Sequence, residues 1–161
     1  MSASLGNENR RLADVLSGLP RTRILVVGDL ILDRYADGKA QRVSPESPVL
    51  VFAFERDRYL LCGSCNVGAN LSTLGASASV LGVIGDDEPG ARLRSLLTDA
   101  DIDTQALVVD ESRPTTRKTR YVAKTLQVLR VDQESRAPVS GGAEQRMLDL
   151  LNQRPFPWQS V

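Results

Sequence analysis

The residues with the clearest chemical potential are two carboxylates, Asp29 and Asp33, in the segment GDLILDRY. They follow a short apolar run, Arg23 to Val27 (RILVV), that closes on Gly28. Such a run reads as a buried parallel strand. Groups just beyond the carboxyl end of a parallel strand lie where open α/β sheets bind their ligands. An ionised carboxylate there can accept hydrogen bonds from two hydroxyls of a polar ligand. The plainer alternative is that Asp29 caps a turn and Asp33 is solvated.

A second constellation is Cys62-Gly63-Ser64-Cys65, running into Asn66 and then an apolar-periodic stretch. This order predicts a small-residue turn feeding a helix N-terminus. The free N–H groups of such a turn bind hydroxyls or phosphates, and glycine lets the ligand approach the main chain. The same four residues form a Cys-x-x-Cys, which taken alone could be a redox dithiol or half a zinc site. Zinc requires four ligands, and there is no other cysteine and no histidine. The redox alternative survives chemically, although Leu61 stands where an aromatic residue precedes a thioredoxin-type pair. Both cysteines otherwise read as small loop residues. A third cluster, Arg117, Lys118, Arg120, Lys124 and Arg130, lies along a strand-like region. It is either a solvated strand face or a phosphate-contacting rim.

Composition narrows the chemistry further. The absence of histidine excludes Ser-His-Asp and Cys-His catalysis within this chain. Gly63 to Gly68 has the glycines of a phosphate loop, but Ala69-Asn70 replaces the required Lys-Ser/Thr. GDLILD is not the GxGxxG of a dinucleotide site. Twenty basic residues balance twenty acidic ones, so net charge gives no argument for a nucleic-acid partner or an anionic membrane. No apolar run approaches the ~20 residues of a membrane span, and the polar start lacks a secretory apolar core. A cytoplasmic location is the default expectation.

The elements that must position these residues follow from periodicity. A helix is expected over residues 8–17, with Leu12, Val15, Leu16 and Leu19 at helical spacing and Gly18 and Pro20 as the stop. After the first strand, the prolines of RVSPESP make a turn-rich connection. Val49 to Phe54 reads as a strand with which Asp57 to Leu61 would pair, forming a flap. The helix after Asn66 stops at Gly75, and Ala78 to Ile84 is the next strand, ending at Gly85. Acidic residues and Pro89 in GDDEP mark a helix entry, followed by the stripe Leu93, Leu96 and Leu97. A short strand follows over residues 105–109. Thr115 to Ala123 and Leu126 to Val131 predict two strands turning near Lys124. A last helix runs from Gly142 to Gln153 with Met147, Leu148, Leu150 and Leu151, after which RPFPWQSV carries no strand signal.

The segment CGSCNVGANLSTLGASASVLGVIG resembles the N-terminal signature of ribokinase-like (PfkB) carbohydrate kinases. Gly63, Asn66, Gly75 and Gly85 sit at the signature's spacings, whereas Cys62 stands where glycine is usual and Gly68 where Ser, Thr or Ala is usual. With GDLILDRY, RVSPESPV and PTTRKTRYVAKTLQVLRVDQE, the chain looks most like heptose 7-phosphate kinases over about residues 20 to 150. The resemblance implies an α/β fold with a mostly parallel central sheet flanked by helices and a small β lid, here as its N-terminal half. It divides the chain into an N-terminal helix (1–20), half of a kinase domain (21–153, lid segments about 49–61 and 115–131) and an irregular tail (154–161).

It further implies phosphorylation of D-glycero-D-manno-heptose 7-phosphate by ATP at the anomeric hydroxyl, on the route to ADP-heptose for lipopolysaccharide core. Asp33, Gly63 and Asn66 match the sugar-binding positions, and Arg117, Lys118 and Arg120 are candidate lid or phosphate contacts. A homodimer through the lid is a further expectation. The family's catalytic base is the aspartate of a Gly-Ala-Gly-Asp motif, which does not occur here, and its Asn-x-x-Glu motif and ATP segments are also missing. ATP and Mg²⁺ would therefore serve the family without binding residues in this chain. Truncation near Arg154, and no catalysis by the chain alone, are the resulting expectations. The alternatives are a non-catalytic sugar-phosphate-binding or dimerising remnant, and the Cys-x-x-Cys redox protein.

Overall fold

The computed structural model describes residues 2–153, with side chains from residue 8 onward. The tail RPFPWQSV, and with it the expected truncation point, lies outside the described residues. The chain runs α1 (Ser2–Gly18), a 3-10 turn (Leu19–Arg21), β1 (Arg23–Val27), β2 (Leu30–Val43), β3 (Leu50–Gly63), α2 (Ser64–Thr73), β4 (Ser77–Ile84), α3 (Glu88–Asp99), β5 (Leu107–Val109), β6 (Arg117–Ala123), β7 (Leu126–Gln133) and α4 (Gly141–Asn152).

Two sheets form. β1, β4 and β5 make a parallel sheet in the order β1-β4-β5, as the apolar runs RILVV and SASVLGVI require. The strand period of two splits β4 between two cores. Ala78, Val80 and Ile84 join Leu30, Leu32, Cys65, Leu93, Leu97 and Ile102 on the side of α2 and α3. Leu81 and Val83 face Ala106, Val108, Ala143, Met147 and Leu150 on the side of α4. Leu93 and Leu97 are fully buried, each worth about 2–3 kcal/mol of apolar transfer. β1 is only half-buried, less than its apolar composition predicts, because it forms an edge of its sheet.

The second sheet has the order β3-β2-β6-β7. β2 pairs antiparallel with β3 and parallel with β6, and β6 turns back into β7. The strands expected as a flap are paired differently from the expectation. Residues 50–63 form one continuous strand against β2, so Asp57 to Leu61 does not fold back on Val49 to Phe54. Fourteen residues of β3 find a ready fourteen-residue partner in β2, which leaves no reason for a tighter internal hairpin. The hairpin at Lys124 is confirmed, with Lys124 at φ +59°.

Helix ends follow local chemistry. Asp87 caps α3 by accepting from the Gly90 N–H at 2.9 Å, with Pro89 in the first turn. Ser140 caps α4 from the Ala143 N–H at 3.3 Å. α2 begins at Ser64, two residues before Asn66, so part of the expected turn is already helix. Leu12, Val15 and Leu16 of α1 keep their helical spacing but are exposed. Among the described residues no helix is long and apolar enough to cross a membrane.

Candidate functional site

The two sheets meet where β1 passes into β2 and β3 into α2. Gly63, the residue before α2, sits at φ +59° and ψ −137°, a conformation open essentially to glycine. A Cβ there would lie 2.5 Å from the Asp29 carbonyl oxygen. That carbonyl accepts the Ser64 N–H at 2.9 Å, joining the end of β1 to the start of α2. No side chain caps α2. Asn66 occupies the first turn of that helix and is exposed. Asp29 is exposed and lines a cleft of about 370 Å³ with Gly28, Gly82, Val83 and Arg113, at the carboxyl ends of β1 and β4. A larger cleft of about 990 Å³ opens at the opposite end of the strands, around Ser77, Asp101 and Gln105, away from every candidate residue.

Asp33 lies on β2, not in a loop. Pleating places it with Ile31, Tyr35 and Asp37, on the face opposite the buried Leu32 and Ala36. In register it neighbours Leu60 of β3 and Lys118 of β6. This face carries no covering layer, since Leu60 is 48% exposed, yet Asp33 itself is only 6% exposed. Arg120, in register with Tyr35, reaches both Asp33 oxygens from a single Nη2 at 3.3 Å and lies 5.8 Å from the Tyr35 ring centroid.

The structure separates the basic residues grouped in the sequence. Lys118, Arg120 and Arg130 share the face of Asp33. Arg117 is on the other face, where it donates to Gln133 at 2.8 Å and lies 4.0 Å from Glu88 of α3. A strand's period of two makes this division unavoidable for neighbours 117 and 118. The Asp33–Arg120 pair spans 87 positions through a parallel β2–β6 pairing, and nothing local in the sequence signals it. The alternation of Asp33, Tyr35 and Asp37 could have marked their common face.

The setting of Cys65 does not suit a reactive thiol. Both are free, and Cys65 is wholly buried in the core beside α2. Burial pushes its thiol up to about 11, the reverse of what an attacking thiolate needs. Asp87 does structural work. It accepts from the Thr115 N–H at 2.9 Å and the Thr115 hydroxyl at 2.6 Å, tying α3 to the entry of β6. Partial burial raises its carboxyl, but the bonds from Thr115 and Gly90 outweigh this and hold it below the usual range. Among the described residues no three His, Cys, Asp or Glu side chains converge to hold a metal ion.

Residues 21–141 match the profile of the pfkB family carbohydrate kinases. The chain belongs to this family. The pfkB chain is 45% identical over 135 residues to "Bifunctional protein HldE" of Caulobacter vibrioides, covering 81% of this chain and 28% of that protein. It is 39% identical over 140 residues to the protein of the same name from Wolinella succinogenes, covering 87% and 30% respectively. It thus spans about three-tenths of the length of the curated relatives it matches. In fold it is similar to a putative sugar kinase from Clostridium perfringens, with a TM-score of 0.61 at 16% identity over 81% of this chain and 41% of that one. It is similar also to Arabidopsis thaliana ribokinase complexed with ribose and ATP, with a TM-score of 0.56 at 17% identity over 69% and 35%. The ribokinase-like α/β fold, in part, is therefore the fold of this chain.

Proposed function

We propose that this chain is the sugar-binding portion of an ATP-dependent heptose 7-phosphate kinase of the cytoplasm, inactive by itself. Residues 21–153 would be the kinase part, with the β2–β3 ribbon and the β6–β7 hairpin as its lid. The observation that carries the proposal is Asp33, a buried carboxylate turned to an open sheet face in a pfkB chain. Asp33 would accept hydrogen bonds from sugar hydroxyls, while Gly63 and Asn66 shape the main-chain side of the subsite. Lys118 and Arg120 share the Asp33 face and suit the phosphate; Arg117, turned toward α3, does not.

In the complete reaction ATP supplies the γ-phosphoryl group, and positioned charges and a base complete the transfer. The Gly-Ala-Gly-Asp that would carry the base does not occur in the sequence. This chain's own part would be to hold the sugar.

A second reading is a non-catalytic binding or dimerising module. It is favoured by the exposed apolar residues Val43, Leu50, Phe54, Leu126 and Leu129 of the lid sheet. Titration calorimetry with heptose 7-phosphate tests the first reading: binding is expected, with a loss of 10-fold or more in Asp33→Asn. Unchanged affinity in that variant would remove Asp33 from the subsite. ATP turnover by the purified chain would overturn the proposed inactivity.

A further inference from the structure

Five arginine–aspartate pairs lie on the sheet of β3, β2, β6 and β7, and they are not alike. Arg34 grips Asp57 through Nε at 2.8 Å and Nη2 at 3.0 Å. Arg58 grips Asp37 in the same two-pronged way at 2.7 and 3.1 Å. Both have the short, forked geometry of a charge-assisted pair. Arg120 differs. It offers Asp33 one nitrogen, shared between two oxygens at 3.3 Å, and its Nη1 reaches Gln127 only at 3.4 Å. Its Nε is buried and has no hydrogen-bond partner. A buried unpartnered donor beside a loosely held carboxylate is a costly arrangement for a structural pair. The two neighbouring pairs show that this sheet can do better with the same residue types.

We propose that Arg120 is the specificity residue of the sugar subsite, exchanging Asp33 for an anionic substituent of the bound sugar. The inference rests on the sugar-subsite reading above and adds to it a reason for choosing among sugars. Without ligand, Arg120 neutralises Asp33. When hydroxyls donate to Asp33, the guanidinium swings from Asp33 onto the ligand's anion, and the orphaned Nε gains an acceptor. Lys118, in register with Asp33, adds positive charge on the same face. Arg130 lies in register with Arg120, but its Nε is engaged by Asp132 at 3.0 Å. A neutral sugar breaks the Asp33–Arg120 contact with nothing to replace it, so it binds less well than the phosphorylated one.

The test is calorimetric titration of the full chain with heptose 7-phosphate and with the same heptose lacking phosphate, for wild type, Arg120→Met and Arg120→Lys. Wild type is expected to prefer the phosphorylated sugar. Arg120→Met should lose about 10- to 100-fold for that sugar and bind the neutral one unchanged or more tightly. Arg120→Lys, which keeps a cation opposite Asp33 and serves if the methionine variant does not fold, should lose several-fold of the preference while neutral-sugar affinity stays constant. Equal weakening of both sugars would mean that Arg120 merely shapes Asp33, and an intact preference in both variants would mean that the anion is read elsewhere. Either outcome overturns this inference but leaves the sugar subsite standing. Failure of wild type to bind either sugar sinks both.

Discussion

Replacing Gly63 by alanine tests whether this residue matters for its backbone or for a ligand. The residue joins β3 to α2, with φ +59° and ψ −137°. An L-residue forced into such a region costs about 1–3 kcal/mol. The new methyl would also sit 2.5 Å from the Asp29 carbonyl oxygen, closer than side-chain carbons approach backbone oxygens. Relief requires β3 and the end of β1 to part, weakening the 2.9 Å Ser64–Asp29 hydrogen bond, worth about 1 kcal/mol. The total is about 2–4 kcal/mol, a large share of the ~5–15 kcal/mol that hold an ordinary domain together.

Gly68→Ala is the internal control. Gly68 lies inside α2 with no positive φ, and its added Cβ would meet core side-chain atoms of Val80 at 3.2 Å and Ile102 at 3.4 Å, tight but not clashing. Helix propensity there returns about 1 kcal/mol, roughly offsetting the tight contacts. Urea melts followed by far-ultraviolet circular dichroism would read both. A lower midpoint at unchanged slope is expected for Gly63→Ala and little change for Gly68→Ala. If Gly63→Ala melts within about 0.5 kcal/mol of wild type, backbone strain is not why glycine stands there.

Two further outcomes follow from side-chain environments. Asp110 accepts from the Ser112 hydroxyl at 2.6 Å and the Ser112 N–H at 3.1 Å, with Ser140 N–H at 3.4 Å, and the Ser112 bond leads in bringing its carboxyl down to about 2. Its folded value lies below the unfolded one near 3.9, so its contribution is present above about pH 4 and is lost as pH falls through 2. Melting temperature should drop across that window in wild type and drop less steeply in Asp110→Asn; parallel curves would refute the assignment. Thiol labelling of the native chain near pH 8 should modify Cys62 and spare Cys65 until denaturant is added, because Cys65 is buried and its thiol stands at about 11. Equal labelling rates would contradict its place in the core.

What could be read directly from the sequence was local. RILVV and SASVLGVI announced strands, GDDEP announced a helix entry, and Gly75 and Gly85 marked stops, because propensity and period act over a few residues. The family signature around Gly63 and Asn66 was equally legible. The tertiary structure decided what depends on pairing at a distance. It made β3 one long strand, because β2 offered a partner of equal length. It left β1 on an edge and α1's leucines exposed. It brought Arg120 to Asp33 across 87 residues and turned Arg117 away, because a parallel pairing sets which side chains meet and the pleat sets which face they share. Residue types gave the chemistry, and register chose which side chains share a face.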